Sequence, residues 1–152
     1  MNKTESYTAH VAAPPDAVYS RLTDIDRPDW NAAIRDVPVR PERLAPGAEW
    51  VVTVHATPMT WPSRAWALEV DRERRRFSYR SVRDGGNPSY TLWRWEIDPD
   101  PAGGSTVTVT WQLSPETPMY RMLLFPMRRS GLAREVRTSL AALAAMVEEP
   151  AS

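Results

Sequence analysis

Tyr90-Thr91-Leu92-Trp93-Arg94-Trp95-Glu96-Ile97, followed after a turn by Thr106-Val107-Thr108-Val109-Thr110-Trp111-Gln112-Leu113, decides the fold. Successive side chains of an extended chain take opposite faces, so Trp93, Trp95 and Ile97 share one face while Arg94 and Glu96 take the other. Val107, Val109, Trp111 and Leu113 repeat the pattern against the threonines and Gln112, and two consecutive strands therefore aim large apolar groups the same way. Working outward, Pro46-Gly47, residues 71–75, 84–88 and 99–104 cut residues 37–114 into short pieces with no room for helical crossovers, which predicts an antiparallel meander. In phase with the aromatic wall this reading places Trp50, Val52 and Val54, then Trp66, Leu68 and Val70, then Phe77, Tyr79 and Ser81. Thr53, Glu69, Ser78 and Arg80 then face water.

Helices close the pattern at both ends. Residues 6–12 alternate Tyr7, Ala9 and Val11 against Thr8 and His10, and Pro14-Pro15 open a helix with Asp16 in its first turn and Val18 and Leu22 on its buried stripe. Pro28 stops it, and residues 30–34 read as a short second helix or a turn. After Pro115 the period becomes 3.6: Thr117-Pro118 suit an N-cap and first helical position, and Leu132, Val136, Leu140, Leu143 and Val147 mark the apolar stripe of a long helix ending before Pro150. Pro126 and Gly131 predict a kink or break near 125–131. The stripe needs a partner, and the concave, Trp-rich sheet face is the surface large enough to receive it. The expected architecture is one α+β domain over residues 1–152.

Composition narrows the function. The 152-residue chain has no cysteine and two histidines, which excludes disulfides and thiolate metal sites and leaves little for an imidazole site. Lys plus Arg equals Asp plus Glu at 19 each, so no long-range field recruits nucleic acid, and a small neutral partner suits the chain better. No stretch approaches the roughly 20 apolar residues of a membrane span, and a cytoplasmic monomer or homodimer without stable membrane insertion is expected. His55 falls on the outward phase, His10 lacks a second ligand, Glu69 and Glu96 read as partners of Arg94 or Arg80, and Asp24, Asp26 and Asp29 read as solvated caps. No metal and no cofactor are expected, and no phosphate loop or nucleophile elbow is present.

Seven tryptophans on such a sheet either fill a core or line a pocket for a flat apolar ligand. The candidate ligand-binding residues are Trp30 before the sheet, Trp50, Trp66, Tyr79 and Ser81 on the earlier strands, and Thr91, Trp93, Trp95, Val109 and Trp111 on the last two. Met122 and Phe125 join them from residues 119–129, an apolar, arginine-bordered segment that suits either a lip over the cavity mouth or ordinary helix packing. If the phase holds through Pro62, Arg64 lies on the inner face two residues before Trp66 and joins Tyr79, Ser81 and Thr91. The ordinary alternative is an arginine that reaches solvent.

Val11-Ala12-Ala13-Pro14 with Val18-Tyr19, Leu22, Asp24 and Trp30 resembles the N-terminal signature of the polyketide cyclase/dehydrase group of the SRPBCC (START/Bet v 1-like) superfamily. Trp66-Ala67-Leu68-Glu69-Val70-Asp71, residues 93–106 and residues 140–148 resemble its later strands and last helix. The resemblance implies a helix-grip fold, a curved antiparallel sheet wrapped around a long C-terminal helix with an internal cavity. Members bind lipids, sterols, polyketides or plant hormones, and some are aromatising cyclases that use cavity arginine, tyrosine and serine groups. It makes Arg64 and Tyr79 the candidate catalytic residues, whereas Ala67 and Glu69 depart from the cyclases' serine and arginine. Binding of a small hydrophobic, aromatic or polyketide-like molecule is the first expectation, cyclisation or dehydration of such a ligand without metal or nucleotide the second, and a protein-interaction or toxin-like module the third.

Overall fold

The computed structural model describes residues 3–56, 59–83, 90–114 and 125–148, with the side chains of the last segment described from Gly131 onward. Strands β1 (Lys3–Val11), β2 (Ile34–Val39), β3 (Glu49–Ala56), β4 (Met59–Asp71), β5 (Arg76–Arg83), β6 (Tyr90–Pro99) and β7 (Ser105–Ser114) form one curved sheet, all antiparallel, in the order β1-β7-β6-β5-β4-β3-β2. Only the β1–β7 pairing departs from a meander. Helix α1 (Pro15–Leu22) and helix α2 (Phe125–Glu148) complete the helix-grip arrangement.

Trp93 pairs with Trp111, Trp95 with Val109 and Ile97 with Val107, so β6 and β7 present one continuous apolar face. Against it α1 buries Val18, Tyr19 and Leu22, and α2 adds Leu132, Val136, Leu140 and Leu143 to the same core. The closest backbone approaches of α2 are to α1 and β1. α1 starts on Pro15, whose missing N–H is one that a helix start leaves unpaired anyway, and ends where Thr23 Oγ1 donates to the Tyr19 carbonyl at 2.7 Å. Two long-range bonds fix the helices: the Tyr19 hydroxyl donates to the Arg76 carbonyl at 3.0 Å, and the Ala12 N–H donates to Glu148 Oε2 at 2.7 Å.

Two expectations from the sequence are corrected here. The break expected near 125–131 is absent from the described helix, which runs continuously from Phe125 to Glu148 with Pro126 and Gly131 inside that span. The phase of β4 is reversed over most of its length. Ser63, Ala65 and Ala67 are buried while Leu68 is exposed, and Trp66 pairs with Arg80 on the outer face. The cause is a register shift between Ala67 and Glu69, where one extra residue enters β4 opposite β5. Val70, beyond the shift, does sit opposite Phe77 on the inner side, but counting back from it in steps of two through the bulge inverts every earlier position. Pro62 does not interrupt the strand, which runs through it from Met59 to Asp71 with Pro62 opposite Thr53 of β3.

Candidate functional site

The site grows from the inner face of the sheet and one loop. Trp50 on β3 pairs with Ala65 on β4, and Ala67 pairs with Tyr79 on β5. With only methyl groups on β4 between them, the rings of the flanking strands meet across it: Trp50 lies 5.6 Å from Tyr79 and 6.2 Å from Phe77. Tyr79 stacks on Trp93 at 6.0 Å with an interplanar angle of 19°, and Trp93 continues to Trp111 at 6.2 Å. These separations lie in the attractive range for offset and tilted aromatic pairs. The result is a connected aromatic wall across β3, β5, β6 and β7.

The loop after α1 closes one side. Trp30 stands edge-on to Trp95, with ring centroids 5.9 Å apart at 87°. Its loop is fastened by Arg21, which donates to the Arg27 carbonyl at 2.5 Å and to Asp29 at 2.6 Å, by Asn31 Oδ1 accepting from the Ala33 N–H at 2.9 Å, and by Ser139 Oγ of α2 accepting from the Ala32 N–H at 2.8 Å. The Arg21 guanidinium bonded to Asp29 holds that carboxyl below the ordinary aspartate range. Asp24 and Asp26 face Arg27 and Arg40 at 3.8 Å each, so the three aspartates serve the loop's own arginine pairs.

Between loop and wall lies a pocket of about 40 Å³, lined by Leu22, Asp24, Ile25, Pro28, Trp30, Asn31 and Ile34 from the helix, loop and β2, and by Trp50, Val52, Phe77, Tyr79 and Trp95 from the sheet. Burial pushes the Tyr79 phenol well above the ordinary tyrosine range, and the nearby Trp95 indole N–H opposes the rise only in part. Tyr79 is therefore a neutral hydroxyl at any physiological pH. Ser81 Oγ accepts from Trp93 Nε1 at 3.2 Å, and Thr91 pairs with Ser81 on the same inner face. The indole N–H groups of Trp30, Trp95 and Trp111 are buried and make no hydrogen bond of ordinary geometry among the described residues, although that of Trp95 lies near the Tyr79 hydroxyl oxygen.

Of the residues singled out from sequence, Trp30, Trp50, Tyr79 and Trp95 come together around the pocket, while Ser81, Thr91, Trp93, Val109 and Trp111 lie on the same face farther along the wall. Arg64 and Trp66 do not join them. The bulge puts both on the outer face, where Arg64 bonds Glu49 and pairs with Val82, so the Arg64–Tyr79 catalytic pair is not assembled. Met122 lies outside the described residues, as does the side chain of Phe125 and with it the lip over residues 119–129. His10 bonds the Gly103 carbonyl at 2.8 Å and His55 the Thr60 hydroxyl at 2.7 Å, while Arg94 bridges Glu69 and Glu96. Sequence reasoning missed Ile25, Pro28, Asn31 and Ile34, which a long-range loop contact brings in. It also missed Ala65 and Ala67, whose signal was available: small residues at spacing two, beside strands rich in rings.

The fold is shared with solved structures of low sequence identity. Ara h 8.0201 superposes with a TM-score of 0.76 at 14% identity, covering 97% of this chain and 98% of its own. The Zhui aromatase/cyclase from Streptomyces sp. R1128 gives 0.75 at 18% identity, covering 97% and 94%. The di-domain ARO/CYC BexL from the BE-7585A biosynthetic pathway gives 0.80 at 15% identity, covering 99% of this chain and 51% of BexL. No curated protein matches the sequence. Among the described residues no helix is long and apolar enough to cross a membrane. Residues 4–148 match the family described as polyketide cyclase / dehydrase and lipid transport, and the chain belongs to that family.

Proposed function

We propose that this protein binds a small hydrophobic molecule, aromatic or polyketide-like, between the concave sheet and its helices. The observation that carries this reading is the connected wall from Trp50 through Phe77, Tyr79 and Trp93 to Trp111, with Trp30 and Trp95 set beside it. Tyr79 and Trp93, on the inner side of the sheet, are only half-buried. Flat apolar ligands are recognised by such faces through area and stacking, with a few polar groups fixing orientation. Family membership and the aromatase/cyclase neighbours support the same ligand class.

Cyclisation or dehydration of such a ligand is the second reading, and one observation favours it: the Tyr79 hydroxyl, kept neutral by burial, lines the pocket and can donate a hydrogen bond to a developing oxyanion. Arg64 has no part in it, given its place on the outer face. The test of the binding reading is titration with the neutral fluorophore N-phenyl-1-naphthylamine, followed by probe emission and tryptophan quenching. Saturable one-site binding, weakened at least tenfold by Trp93→Ala in a protein that keeps its circular dichroism spectrum, is expected. Linear, non-saturating emission overturns the reading.

A further inference from the structure

We propose that the indole N–H groups of Trp30 and Trp95 form a subsite for one uncharged hydrogen-bond acceptor of the ligand, a carbonyl rather than a carboxylate. The proposal rests on the ligand-binding reading and deepens it. Three observations carry it. Trp30 and Trp95 are 7% and 4% exposed, both line the pocket beside Tyr79, and neither indole nitrogen makes a hydrogen bond of ordinary geometry among the described residues, the Trp95 N–H having only the Tyr79 hydroxyl oxygen near it. A buried donor left without an acceptor is unfavourable, so an acceptor placed there recovers an interaction the protein does not satisfy itself.

The size of the pocket decides which part of a ligand enters. Engineered cavities that admit benzene have roughly 150 Å³, and about 10–15 Å³ of the same measure holds one water. At about 40 Å³ the pocket takes a substituent and not a ring. The ring itself lies on the half-buried Tyr79–Trp93 pair, and Tyr79 belongs to both surfaces. Charge decides which substituent. The lining includes one carboxylate, Asp24, and among the described residues no cationic side chain, so an anionic group is repelled where a neutral oxygen is welcome. The Tyr79 hydroxyl, neutral at working pH, adds a third donor at the same wall.

Three probes of one shape test the subsite: 2-acetylnaphthalene, 2-isopropenylnaphthalene, in which a methylene group replaces the carbonyl oxygen, and 2-naphthoate. Titration calorimetry on the whole chain should give the ketone roughly five- to twentyfold tighter binding than the hydrocarbon, the range expected for one or two neutral hydrogen bonds, with the naphthoate weakest. Trp30→Phe and Trp95→Phe, which keep a six-membered aromatic ring but delete the donor with the pyrrole half of the indole, should bring the ketone to within about twofold of the hydrocarbon, itself the control for the lost ring area. In the wild type, the ketone alone should shift the Trp30 and Trp95 indole N–H resonances. That measurement decides the matter even if Trp95→Phe does not fold. Equal affinities for ketone and hydrocarbon, a ketone preference that survives both substitutions, or unmoved indole resonances overturn the subsite while leaving hydrophobic binding intact. Failure of all three probes to bind removes the ligand-binding reading and the subsite with it.

Discussion

At the tip of the β6–β7 turn, Gly104 holds φ at +76°, and a Cβ there would lie 2.5 Å from the Val11 carbonyl oxygen and 3.2 Å from His10 Nε2. Gly103, at φ +101°, has nothing within 4 Å of such a Cβ. The pair separates backbone strain from contact. Gly103→Ala carries strain alone, while Gly104→Ala adds a backbone clash, so the second should lose about 1–3 kcal/mol more than the first in urea unfolding. Equal losses would show that the end of β1 yields to the methyl. Two buried hydroxyls act on stability through pH. Burial raises the pKa values of Tyr19 and Tyr79, Tyr79 by the larger amount, so the folded protein keeps phenolic protons that the unfolded chain releases. Their contribution is fully present below the ordinary tyrosine pKa of about 10 and is lost as pH rises above it. The midpoint of urea unfolding should therefore fall as pH rises above about 10, and Tyr79→Phe should make that fall shallower. An unchanged slope would mean that the phenol is hydrated in the folded state.

Among the elements, β6 and β7 were legible and β4 was not, for a reason that lies in single residues. Trp93, Trp95 and Ile97 keep period two without interruption, and nine consecutive β1 residues pair with β7 without a slip. In β4 one added residue between Ala67 and Glu69 inverts the faces, and Trp66 and Leu68 look like core residues while Ala65 and Ala67 look dispensable. Hydrophobicity alone misleads there, because the alanines are buried for lack of room and not for their own apolar area. The two readings of the strand predict opposite mutational outcomes. With the observed register, Ala67→Leu drives a branched side chain toward Tyr79 and should cost about 1–3 kcal/mol and weaken ligand binding. Trp66→Ala, on the outer face, should cost less than Trp111→Ala, which empties a site 3% exposed and should cost about 3–5 kcal/mol. Chemical denaturation of the three variants ranks them, and a Trp66→Ala loss as large as that of Trp111→Ala would contradict the register.

For the molecule as a whole, the order of elements revealed the fold because alternating strands and a terminal helix stripe both point to one sheet gripping one helix. The site was only half legible. Wall residues follow from strand phase, but the loop that sets Trp30 against Trp95 is held by Arg21 and by Ser139, 107 positions from Ala32, and no local pattern announces such a contact. Loop, helix and sheet thus meet at the pocket, and a ligand there ties together elements that are distant in sequence. A molecule that binds the folded chain and not the unfolded one stabilises it by about 2.7 kcal/mol at one hundred times its Kd. For a domain of this size each kcal/mol raises Tm by roughly 2–4 °C, so saturating N-phenyl-1-naphthylamine should raise Tm by about 5–11 °C. Trp30→Ala should reduce that shift more than it lowers the Tm of the free protein, since the ring contributes to the pocket wall from a loop and the sheet and α2 core persist without it. A shift unchanged by Trp30→Ala would place the probe elsewhere on the molecule.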